Sequence, residues 1–63
     1  MAYCIKNTKT NLFVSYLEGT TCECWTHTKE NANTYTLIQA VAERMFIANI
    51  CELNRNDLVI EQI

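Results

Sequence analysis

Residues 36–52 constrain this chain more than any other segment. Thr36-Leu37-Ile38-Gln39 has the Thr-x-x-Gln spacing of a capping box. In that motif the Thr36 hydroxyl and the Gln39 amide satisfy first-turn N–H groups that would otherwise have no partner. From Leu37 to about Glu52 there is neither glycine nor proline, and Ala40, Ala42 and Ala48 favour helix. The pattern predicts one helix of four turns or more, beginning after Thr36. In a chain of 63 residues, such a helix must supply one layer of a two-layer core.

The remaining segments read as strands. Ala2 to Lys6 alternates Tyr3 and Ile5 with Cys4, and Asn7 to Asn11 is a polar hairpin loop. Leu12 to Leu17 is rich in strand formers, and Glu18-Gly19-Thr20 breaks it with the only glycine of the chain. Thr21 to Thr26 can pair as a third strand with Trp25 as its large anchor. His27 to Asn33 is a polar connection, with Ala32 and Tyr35 expected to pack on the sheet. After the helix, Asn54-Arg55-Asn56-Asp57 is a polar break in which asparagine tolerates a left-handed cap. Leu58 to Ile63 makes the last strand. The expected fold is α+β, one domain over 1–63, ordered β-β-β-α-β, with a small antiparallel sheet and the helix on one face.

On a helical wheel, Leu37, Ile38, Val41, Ala42, Met45 and Ala48 form a stripe about 140° wide, enough to cover such a sheet. The expected core is therefore Ile5, Val14, Trp25, Val41, Met45 and Ile60. Phe46, Ile47 and Ile50 fall outside the stripe, together with Glu43. An ordinary surface helix would place charged residues at 46, 47 and 50. Either the 27–35 segment folds over that side, with Tyr35 covering Phe46, or a partner protein or second copy of the chain docks there. Phe46, Ile47, Ile50 and Glu43 are thus the candidate partner-binding residues.

Composition narrows the function classes. Apolar residues make up 49%, charged residues 19%, and the net charge is −2, which excludes a disordered tail. Lys6, Lys9, Lys29, Arg44 and Arg55 are scattered, without the basic cluster that draws affinity from phosphate backbones. Seven acidic residues against five basic ones are too few for a DNA mimic. Nucleic acid is not favoured as a partner. No apolar run is long enough to span a membrane, and the first residues show neither a basic nor a long apolar signal region. The expected setting is the cytoplasm, where the four cysteines stay free thiols.

Cys22 and Cys24, with His27 three residues on, make a partial zinc set, the fourth ligand to be borrowed from Cys4 or Cys51. A single residue between the cysteines fits metal poorly, and a plain strand carrying two thiols on one face is the better reading of the pair. The same cysteines with His27 suggest a thiolate–imidazole pair, but no oxyanion site accompanies them. Glu18 and Glu23 flank a turn as solvated charges. Tyr3, Tyr16 and Trp25 could stack a base, although aromatics on half-buried strands usually belong to the core. No phosphate, dinucleotide or calcium motif is present. The expectation is a protein without catalytic activity and without a cofactor.

The segments Tyr3-Cys4-Ile5-Lys6-Asn7, Lys9-Thr10 and Leu12-Phe13-Val14, then Trp25, then Glu30-Asn31-Ala32-Asn33-Thr34-Tyr35, the helix from Leu37 and the final Leu58-Val59-Ile60-Glu61 cover most of the chain. Together they resemble very small phage and prophage-type proteins with an I-K-N-x-x-T hairpin, a W…E-N-A-x-x-Y connection, one helix and a last strand. The C-x-C pair and the apolar helix back depart from that pattern. The resemblance implies a small binding protein encoded by a virus, a stoichiometric inhibitor or modulator of host defence or metabolic machinery acting in the host cytoplasm. It carries over no functional residue. A zinc- or thiol-dependent accessory module is the alternative, and a nucleotide- or RNA-contacting domain the third.

Overall fold

The computed structural model describes residues 1–16 and 23–63. Its elements follow the expected order: β1 Tyr3–Asn7, β2 Leu12–Tyr16, β3 Glu23–Thr26, α1 Leu37–Ile50 and β4 Leu58–Gln62. Single 3-10 turns at Lys29–Asn31 and Arg55–Asp57 precede α1 and β4. The sheet is antiparallel in the order β3-β2-β1-β4, with α1 packed on one face. The expected break at Glu18-Gly19-Thr20, and the ends of the strands expected beside it, lie outside the described residues.

β1 pairs with β4 over its whole length, from Tyr3 opposite Gln62 to Asn7 opposite Leu58. With β2 it pairs only at Lys6–Phe13 and Asn7–Leu12. Beyond those rungs the chain itself fills the gap. The Asn33 N–H donates to the Val14 carbonyl at 3.0 Å, and Tyr3 and Tyr35 exchange backbone bonds of 2.9 and 2.8 Å. The backbone thereby crosses from one face of the sheet to the other between β1 and β2. Before the crossing, Ala32 packs with Cys4 and Phe13 on the face away from the helix. After it, Tyr35 packs with Ile5, Val14, Ile47 and Leu58 beneath the helix. The 27–35 segment therefore does not fold over the outer side of α1, and Phe46 stays exposed. That expectation is corrected because residues 33–35 are held by backbone bonds inside the sheet.

The capping box forms as read. Thr36 Oγ1 accepts from the Gln39 N–H at 3.2 Å, and Gln39 Oε1 accepts from the Thr36 N–H at 3.1 Å. The helix stops earlier than expected and without an asparagine. Glu52 takes the left-handed conformation (φ 53°), and the Leu53 N–H returns to the Ala48 carbonyl at 2.9 Å. Leu53 then packs against the core, the apolar contact that commonly accompanies this type of helix end. Asn54 instead caps the next turn, accepting from the Asn56 N–H at 2.9 Å.

The face of α1 that meets the sheet is the main correction. Ala40, Ile47 and Ala48 are its buried residues, and Ile47 is fully enclosed with Ile5, Val14 and Leu58. Val41 and Met45, expected in the core, are 49% and 48% exposed. Ile5 and Val14 are buried as expected, while Trp25 and Ile60 are half-buried. The physical reason is steric. Ile47 fills the space among Ile5, Val14 and Leu58, with the small side chains of Ala40 and Ala48 enclosed as well.

Candidate functional site: the outer face of the helix

With Ala40, Ile47 and Ala48 turned inward, the remaining apolar residues of α1 face solvent. Ile38 is 84% exposed, and Leu37, Val41, Met45, Phe46 and Ile50 lie between 48% and 55%. Ala42 and Asn49 are exposed among them. The only charged residues of α1, Glu43 and Arg44, are partly buried. The helix is thus inverted relative to an ordinary surface helix, its charges toward the protein and its uncharged apolar face toward water. Taking about 200 Å² for a fully exposed side chain of this size, the six residues present about 700 Å². That exceeds the patch of 300–600 Å² typical of a monomer.

The sequence-predicted partner residues divide between the two sides. Phe46 and Ile50 are exposed, as a contact surface requires. Ile47 is fully buried and belongs to the core instead. Glu43 is partly buried and raises the pKa of the nearby Tyr35 phenol. Burial is the main cause of that rise, with Glu43 adding to it and the Asn33 side chain opposing it. Leu37, Ile38, Val41 and Met45 were missed as surface residues because the wheel assigned them to the core. A cue was available, since Ala40, Ile47 and Ala48 offer two small residues and one β-branched residue on a single face.

At the C-terminal end of this face lies an open hollow of about 280 Å³, lined by Met45, Ala48, Asn49, Leu53 and Arg55. It exists because Ala48 is short and the chain turns sharply at Glu52, setting Leu53 and Arg55 beside the helix.

The other candidate chemistries gather less. Cys22 lies outside the described residues, as do Glu18 and the side chains of Cys24, Glu23 and Tyr16. Cys4 and Cys51 sit on opposite faces of the sheet, so they cannot both approach one site. Among the described residues no three His, Cys, Asp or Glu side chains are placed to hold a metal ion. Trp25 packs against the core cluster rather than standing free as a stacking surface. On the face away from α1, Glu61 pairs with Lys29 at 3.1 Å and Lys6 at 3.9 Å, and Lys6 lies 5.7 Å from the centre of the Phe13 ring. Beneath them burial pushes the Cys4 thiol above its ordinary 9.0, with Lys29 opposing and Glu61 adding. A protonated, enclosed thiol is a poor nucleophile at neutral pH. Among the described residues no helix is long and apolar enough to cross a membrane. No protein-family model, curated protein or solved structure matches the chain.

Proposed function

We propose that this protein is a non-enzymatic binding module that acts by laying the outer face of α1 against another protein surface. The observation that carries the reading is the inverted helix: six large apolar side chains in water while Glu43 and Arg44 are partly buried. The exposed fractions of the six amount to about 3.4 whole side chains, so covering them contributes about 5–10 kcal/mol. That is the scale of the translational and rotational cost of association. The absence of any positive charge on the patch itself disfavours an anionic membrane or a nucleic acid, which reward lysine and arginine. The likeness to small phage proteins supports a stoichiometric inhibitor or modulator of a host protein, such as a defence component, as the setting for this contact.

The test is parallel affinity capture from producing cells with the wild type and with Met45→Glu. Met45 lies outside the core, so the variant keeps its circular dichroism spectrum. It is expected to lose a protein that the wild type retains in stoichiometric amount. Retention of the same proteins by both forms would refute the reading.

A further inference from the structure

We propose that the outer face of α1 binds a second copy of this chain, antiparallel and two-fold related, with Ile38 of each copy seated in the hollow of the other. The inference rests on the outer face being a docking surface and adds a second copy as an occupant that the other protein would have to displace.

Ile38, Ala42, Met45 and Asn49 follow one another at intervals of four, three and four residues. This is the seam spacing of paired helices. The midpoint of the seam, between Ala42 and Met45, is also the midpoint of α1 as Leu37–Ile50. A two-fold axis through that point, perpendicular to the helix, sets Ala42 opposite Met45 of the second copy, a small residue against a large one. The same operation sets Ile38 opposite Asn49. Each lies about 8 Å from the midpoint at 1.5 Å per residue. Ile38 is the most exposed large apolar residue of α1, and Asn49 lines the hollow with Met45, Ala48, Leu53 and Arg55. The projection at one end of the helix therefore matches the recess at the other, and the axis makes the match twice. A parallel pair would oppose Ala42 to Ala42 and align the helix dipoles unfavourably.

Area and charge agree with this occupant. Ile38, Val41, Met45 and Phe46, the four large apolar residues nearest the seam, present about 470 Å² per copy, so two copies bury about 900 Å², the scale of a weak, concentration-dependent interface. The seam carries no charge, so two copies of an acidic chain meet there without like charges opposed.

Sedimentation equilibrium over micromolar to millimolar concentration tests the proposal on three chains. The wild type is expected to approach twice the monomer mass. Ile38→Lys should weaken the dimer at least ~100-fold, because it puts an ammonium, stripped of water, beside the Arg55 guanidinium that lines the hollow of the second copy. The double variant Ile38→Lys with Arg55→Glu should restore much of the association by giving that ammonium a carboxylate. Ile38→Ala, which adds no charge, serves as the second test of the contact if the lysine variant does not fold. A wild type that stays monomeric throughout would overturn the dimer but not the docking reading, which the capture experiment judges separately. A dimer that survives Ile38→Lys, or a loss that Arg55→Glu does not reverse, would overturn the proposed pairing of Ile38 with the hollow.

Discussion

The decisive perturbation of the fold is a pair of truncations two residues apart on α1. Ile47 is fully buried with Ile5, Val14 and Leu58, whereas Met45 is 48% exposed. Ile47→Ala removes buried methyl groups and leaves a cavity that the surrounding strands can only partly close, at a cost of about 2–5 kcal/mol. At about 0.05–0.15 kcal/mol per residue, a chain of this length has only about 3–9 kcal/mol in total. The substitution therefore removes about a fifth of the stability or more and in the worst case unfolds the protein. Met45→Ala takes nothing from the core and should stay within about 0.5 kcal/mol. Urea melts at a chain concentration below any self-association, followed by the fluorescence of Trp25 against the core, separate the two. With m near 1 kcal/mol per molar for so small a protein, the Ile47→Ala midpoint should fall by about 2 M or more. The Met45→Ala midpoint should barely move. A larger shift for Met45→Ala than for Ile47→Ala would mean that the opposite face of α1 meets the sheet, and the reasoning about its outer surface would fail with it.

Two further outcomes are expected. Thr36→Ala removes the acceptor for the Gln39 N–H and should cost about 0.5–2 kcal/mol in the same melts. Burial raises the pKa values of both Cys4 and Tyr35 in the folded chain, so the native state holds their protons more tightly than the unfolded one. The stability this contributes is complete below the ordinary values of 9.0 and 10.0 and is lost as pH rises through the higher folded ones. Melts between pH 8 and pH 11 should show an alkaline decline that is shallower in Tyr35→Phe, and an equal slope in that variant would contradict the assignment.

What the sequence by itself determined is local. The capping box at Thr36 and Gln39, the absence of helix breakers before Ile50 and the alternation in β1 and β2 are settled within a few residues of chain, by hydrogen bonds and side-chain sterics that need no distant partner. The order of elements, and hence the α+β class, follows from these. The apolar excess of α1 was legible too, and with it the prospect of a contact surface including Phe46 and Ile50. The face on which that surface lies was not. Apolar residues surround almost the whole of α1, so their periodicity sets no phase. Its two charges set none either, since Glu43 and Arg44 are themselves partly buried. The phase was decided by contacts remote in sequence. Ala40 and Ala48 are enclosed, and Ile47 fits among Ile5, Val14 and Leu58. The crossing of Asn33–Tyr35 between β1 and β2 likewise depends on backbone partners at Tyr3 and Val14, beyond the reach of any local pattern. Tertiary packing alone chose which apolar face to bury, because a small sheet can cover only one side of a helix that is apolar on several.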